Sequence, residues 1–127
     1  MTQRHPDVEL RIPADSAYLA VLRTATAGLA ARLDFTLDDI EDLRIAVDEA
    51  CAMVLPQARE HSDLTCSFEL AATRLTVAVT AMCDAPKPPN RDGFAWTVLS
   101  ALTNEVHAEV EGDRLTVTLA RGTTGSE

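Results

Sequence analysis

Apolar and polar positions recur along this chain with periods that change from segment to segment, and the changes mark its elements. VELRI, Val8 to Ile12, alternates apolar and polar, which suits a half-buried strand. PADS follows, where Asp15 or Ser16 can cap a helix. Leu19, Leu22, Thr26, Leu29 and Leu33 then recur at spacings of three and four, which predicts an amphipathic helix. Gly28 weakens that helix slightly and allows close packing. A second helix starts at TLDD, where Thr36 and Asp39 stand at capping-box spacing with acids at the positive end of the helix dipole. Its stripe is Ile40, Leu43, Val47, Ala50 and Val54, and Pro56 with the polar run QAREHSD ends it.

The second half returns to a period of two. Leu64, Cys66, Phe68 and Leu70 alternate with polar partners, and Leu75, Val77 and Val79 do so after a turn at AATR. DAPKPPNRDG, Asp84 to Gly93, carries three prolines and reads as a loop. FAWTVLSALTNE predicts a helix burying Phe94, Val98, Leu99 and Leu102. VHAEV and RLTVTLA form a closing hairpin around EGDR, where Gly112 supplies turn freedom, and the tail RGTTGSE is expected to fray. The order is strand, two helices, two strands, helix, two strands. Helices on one face of a mixed, mainly antiparallel sheet would bury both apolar sets, an α+β two-layer sandwich.

Composition narrows this picture. The 127 residues suit one domain, residues 1–127 with a core over 8–121. The chain is 46% hydrophobic but only 4% aromatic, so the core should be mostly Leu, Val and Ala. No apolar run reaches membrane-span length and MTQRHPDVEL is not a signal peptide, so a cytoplasmic protein without membrane contact is expected. The net charge of −9 repels phosphate backbones, so direct nucleic-acid binding is not expected. It suits a basic protein partner, or simply solubility. Cys51, Cys66 and Cys83 are odd in number, widely spaced and outside any CxxC, which argues for reduced buried thiols over disulfides or zinc.

Candidate chemistry is sparse. His5, His61 and His107 lie far apart, HSD in a loop is not triad geometry, and there is no P-loop, no GxGxxG and no metal-binding pair of histidines. AVDEACAM, Ala46 to Met53, places Asp48 and Glu49 inside an apolar helix. A carboxylate there is a general base if it faces a substrate, and otherwise a solvent-facing or arginine-paired acid. Asp48 follows Arg44 by four residues, so an exposed helix pair accounts for it. Glu49 lies off the main stripe and is the better functional candidate. The residues alone define a small acidic α+β domain.

Three segments add a family resemblance. LDDIEDLRIAVDEACAMVL resembles the N-box helix of the RsbW/SpoIIAB anti-sigma factor serine kinases, which are GHKL, or histidine kinase-like, ATPases with the Bergerat sandwich. GFAWTVLSALTNEVHAEV resembles the region that opens with that family's second glycine box, and RLTVTLARG its closing strand. The DLR-AVDE-C signature and the F-W--L-AL helix are most similar to the actinobacterial anti-sigma-F RsbW (UsfX) branch.

The resemblance implies roles for particular positions. Glu49 falls on the N-box glutamate, catalytic if the kinase is active, and Met53 on the asparagine that holds magnesium. Asp84 stands near the adenine-binding aspartate but lacks its following glycines, and Gly93 is kept while the later glycine is Ala95. The lid between them has shrunk to about a dozen residues. Arg23 falls on a partner-contacting arginine, with Leu19, Ala20 and Thr24 nearby. The first strand and adjacent helix would form a homodimer. The implied function is sequestration of a stress- or sporulation-type sigma factor, relieved by a STAS anti-anti-sigma protein. A degenerate ATP site would leave no cofactor and no metal. The alternatives are an active serine kinase using ATP and Mg2+ on the STAS protein, and a generic interaction module.

Overall fold

The computed structural model describes residues 6–123. Strand β1 (Val8–Pro13) is followed by helices α1 (Leu19–Arg32) and α2 (Leu37–Val54), strands β2 (Asp63–Ala71) and β3 (Arg74–Met82), helix α3 (Phe94–Ala101), and strands β4 (Glu105–Glu111) and β5 (Arg114–Gly122). Short 3-10 turns, Ser16–Tyr18 and Leu55–Gln57, precede α1 and follow α2. The sheet order is β1-β2-β3-β5-β4, and all four pairings are antiparallel. The α+β two-layer sandwich expected from the pattern is present, but its sheet is antiparallel throughout rather than mixed. β3 and β4 run in the same direction, yet β5 lies between them, so no parallel ladder forms.

Period-two alternation decides which face of the sheet is buried. Leu64, Cys66 and Phe68 of β2, Leu75, Val77 and Val79 of β3, and Leu115, Val117 and Leu119 of β5 are fully or almost fully buried. Leu43, Ala46, Val47, Ala50, Cys51 and Val54 of α2 pack into the same core. Leu22, Thr26 and Ala30 of α1 are buried as well, and α1 packs against α2. Each large side chain so buried contributes about 1.5–3 kcal/mol of transfer free energy. The opposite sheet face is polar and open, with Glu9, Thr65, Ser67, Thr80 and Thr116 lining a shallow hollow of about 410 Å³. A single-sided antiparallel sheet tolerates such a face because the solvated side needs no apolar cover.

Helix ends follow local chemistry. Asp15 accepts from the Ala17 amide and starts the 3-10 turn into α1. At the other end, Asp34 at φ 61 reverses the chain. Phe35 donates to the Ala30 carbonyl and Asp34 to the Ala31 carbonyl, the paired bonds of a Schellman stop. Thr36 accepts from the Asp39 amide at 3.0 Å while Asp39 accepts from the Thr36 amide at 3.3 Å, completing the expected capping box. Gly112, at φ 63, turns β4 into β5 as expected.

Three further expectations are corrected. Phe94 is 84% exposed rather than buried, because α3 starts there and presents its first side chain to solvent. That helix also stops at Ala101, short of Asn104 and Glu105. The Asn104 amide is taken by the Ala120 carbonyl and its side chain by the Gly122 amide, which turns the chain into β4. The tail expected to fray begins at Arg121, yet β5 continues through Gly122. Residues 124–127 and His5 lie outside the described residues.

One ion pair joins three elements. Arg121 of β5 donates to Asp39 Oδ1 at 2.8 Å, contacts Asp42 at 3.2 Å and donates to the Leu102 carbonyl at 2.7 Å. The Asp39 side chain is 1% exposed and that of Arg121 12%. Asp39→Ala leaves Arg121 only the more distant Asp42 and the Leu102 carbonyl, and it breaks the capping box as well, so it is expected to cost about 3–5 kcal/mol. Thr36→Ala removes only a cap, at about 1 kcal/mol. Urea unfolding of the two variants tests this ranking; equal losses would show that the pair at Asp39 is solvated.

Candidate functional site

The sequence-derived candidates fall on two surfaces. Glu49 and Met53 are four residues apart on α2 and share one side of it, while Gln57 lies beyond the helix in the 3-10 turn Leu55–Gln57. Glu49 is half-buried and makes no hydrogen bond or ion pair with any described residue. Met53 is half-buried and packs against the core. A thioether is soft and flexible, which suits filling apolar space and makes it a poor ligand for a hard cation such as magnesium.

Asp84 and Gly93 bound the segment that joins β3 to α3. Asp84 accepts from Arg59 Nε at 2.8 Å, and the same guanidinium donates to Asp113 at 2.7 Å. These bonds, that to Asp84 foremost, hold the Arg59 pKa above its ordinary value. Lys87 is fastened independently. Its amide donates to Gln57 Oε1 at 2.8 Å, and its carbonyl accepts from Gln57 Nε2 at 2.9 Å. Ala85, between the two anchors, has φ 96, a conformation that a residue with a Cβ adopts at a cost of about 1–3 kcal/mol. Gly93 caps α3, and its amide donates to the Asn90 carbonyl at 3.0 Å. A Cβ there would meet that carbonyl oxygen at 3.2 Å, so close backbone approach explains the glycine locally. Arg91 lies over the Trp96 ring, 5.5 Å from its centroid. No hydrogen bond or ion pair among the described residues joins Glu49, Met53, Asp84 and Gly93 to one another.

The second surface is the outer side of α1. Arg23 Nε donates to Asp48 of α2 at 2.8 Å. The pairing of Asp48 with Arg44 read from sequence is therefore corrected: Arg44 reaches back to Glu41 at 3.2 Å, and the α1–α2 packing brings Arg23 to Asp48 instead. Arg23, Thr24, Ala27, Gly28 and Arg44 line a groove of about 430 Å³. Thr24 also borders an open apolar hollow of about 470 Å³ with Ala20, Val21 and Ala25. Val21 and Tyr18 are 48% and 44% exposed. Arg23, Ala20 and Thr24 thus share one surface, whereas Leu19 packs against the core.

Several residues here escaped the sequence reading. Gln57 and Arg59 belong to the run read only as a helix stop, and Arg44 was assigned elsewhere. Gln57 and Arg59 depend on partners 30 and 25 positions away, Lys87 and Asp84, and Arg44 shares its groove with Arg23 only through the packing of α1 on α2, so local periodicity carries no such signal. Among the described residues, no cluster of His, Cys, Asp and Glu is arranged to hold a metal ion, and no helix is long and apolar enough to cross a membrane.

A sandwich with this strand order and N-box-like helix defines a class. The sequence pattern of the histidine kinase-like ATPase domain matches residues 12–121, and the chain belongs to that family. Within it, the chain is similar to the serine-protein kinase RsbW. It is 38% identical over 81 residues to RsbW of Bacillus cereus, covering 62% of this chain and 51% of that protein. It is 37% identical over 81 residues to RsbW of Bacillus thuringiensis, with the same coverage. The chain spans about half the length of these relatives.

The three cysteines are free and buried. Burial pushes the Cys51 and Cys66 thiols from an ordinary 9.0 up to about 12. Between these values the unfolded chain has released thiol protons that the folded chain keeps. Stability is therefore expected to fall as pH rises from about 9 towards 12, and both thiols should resist a disulfide reagent at pH 8 until urea is added. Urea midpoints across that interval check the first expectation; a flat profile would mean that the thiols reach solvent in the folded state.

Proposed function

We propose that the chain is an anti-sigma factor whose nucleotide site has lost phosphoryl-transfer competence. The observation that carries this reading is Arg23, paired with Asp48 beside a hollow lined by Ala20, Val21, Thr24 and Ala25, of which Ala20, Val21 and Thr24 are exposed. An apolar hollow edged by a cation is a surface on which a helix of a protein partner can pack. The Arg23–Asp48 pair is about 40% exposed on both sides, so it contributes only about 0–1 kcal/mol and yields readily to a partner's own acceptor. Similarity to RsbW points to a sigma factor of the stress or sporulation type as that partner. A STAS-type anti-anti-sigma protein would compete for an overlapping surface. β1, an edge of the sheet, is the element on which a homodimer would form.

The residues present do not fit a magnesium-bridged nucleotide. Met53 offers sulfur where an amide oxygen is needed, Asp84 is engaged by Arg59, and Gly93 is the only glycine from Asp84 to Gly93. Phosphoryl transfer rests on positioning and charge neutralisation, and neither has its groups here. The second reading is an active serine kinase, favoured by Glu49, which is half-buried and unengaged.

Calorimetry with purified stress- and sporulation-type sigma factors tests the first reading. One of them should bind, and Arg23→Glu should weaken that complex at least about tenfold by reversing charge at the edge of the apolar surface. No complex with any of them would leave only a generic interaction module. MgATP binding together with phosphate transfer to a STAS protein would replace the first reading with the second.

A further inference from the structure

We propose that the groove between α1 and α2 is a carboxylate clamp, in which Arg23 and Arg44 together grip one acidic side chain of a protein partner and Gly28 gives that partner's chain room to approach. This rests on the reading of the outer side of α1 as a partner surface. It adds the chemistry of the partner and two residues, Arg44 and Gly28.

Arg23 of α1 and Arg44 of α2 line the same groove of about 430 Å³, together with Thr24, Ala27 and Gly28. A guanidinium carries several N–H donors in a fixed fork. With the described residues, Arg23 uses only Nε, on Asp48, and Arg44 only Nη1, on Glu41. Their remaining side-chain nitrogens reach solvent, since among the described residues only Arg121 keeps a buried side-chain nitrogen without a partner. Both terminal nitrogens of Arg23 are therefore open to a second acceptor, and a carboxylate matches them with its own pair of oxygens. Two cations bordering one groove also repel each other, and an anion between them removes that repulsion.

The occupant is a protein segment rather than a free anion. Thr24 lines both this groove and the apolar hollow of Ala20, Val21 and Ala25, so the charged and apolar surfaces are continuous. A free anion would use the groove alone. A segment with Asp or Glu beside apolar residues uses both. On a chain of net charge −9 an acidic residue is repelled over most of the surface, so this pair of guanidiniums fixes where it docks.

Gly28 supports the same occupant independently. It lies in the interior of α1, and a Cβ added to it would meet no described atom within 4 Å. Nothing inside the described fold calls for glycine there, whereas glycine within a helix is less stable than alanine. Gly28 is exposed on the groove, and its bare backbone lets a partner's chain come closer than a methyl group would allow.

Calorimetry and urea unfolding on the full chain test this, with the stress- or sporulation-type sigma factor that binds the wild type as the probe. Arg23→Gln and Arg44→Gln should each weaken the complex about tenfold. The double variant should lose about thirtyfold rather than a hundredfold, because one carboxylate serves both guanidiniums. Gly28→Ala should raise the urea midpoint of the free chain and still weaken the complex about tenfold, a combination that a purely structural glycine does not produce. Unchanged affinity in Arg44→Gln, or losses that multiply fully in the double variant, overturns the clamp. A lowered midpoint or an unchanged affinity in Gly28→Ala overturns the role of that glycine. If the wild type binds no sigma factor, the anti-sigma reading fails and the clamp with it, whereas a complex indifferent to Arg44 overturns the clamp alone.

Discussion

The buried contact between Asp39 and Arg121 organises more of this molecule than its size suggests. Asp39 serves the capping box that starts α2 and at the same time receives a guanidinium from the last strand. Arg121 passes the constraint on, through its bond to the Leu102 carbonyl at the end of α3. One charge pair therefore fixes where α2 begins, where α3 ends and how both sit against β5. An ion pair this buried adds little net stability over an apolar alternative, because desolvation offsets most of the attraction. What it supplies is register: α2 cannot slide along the sheet without stranding a charge.

That register matters because α2 carries residues for two different surfaces. Asp48 and Glu49 are neighbours in sequence but point to different sides of the helix. Asp48 turns to α1 and holds Arg23. Glu49 turns to the side that also carries Met53, one turn further along α2. The two carboxylates therefore belong to different surfaces although one helix carries both.

Three of the four positions that the resemblance assigns to a nucleotide site take part in the fold's own contacts. Met53 packs against the core. Asp84 forms an ion pair with Arg59, which also holds the closing hairpin. Gly93 accommodates the Asn90 carbonyl in a helix cap. Each position has a local structural use that requires no ligand. The exception is Glu49, which is half-buried and has no such use among the described residues.

Much of the fold could be read from periodicity. The alternation of Leu75, Val77 and Val79, the capping letters Thr36 and Asp39, and the glycine at 112 each act over a few residues, and each is found as expected. The stripe on α2 and the placement of Ala20, Arg23 and Thr24 on one surface follow from the same short-range geometry. Phe94 misled because hydrophobicity alone cannot tell a helix's first residue from its buried side. The partner of Asp48, the fastening of the loop after β3 by Gln57 and Arg59, and the joining of Asp39 to Arg121 lay beyond such reasoning. Those contacts span 25 to 82 positions, and the choice among possible charged partners is made only when helices and strands pack. The sequence by itself determined which elements form and which of their faces are apolar, because those follow from local geometry and burial. Only the tertiary structure decided which polar side chains meet, because opposite charges attract whatever brings them near, and packing alone brings them near.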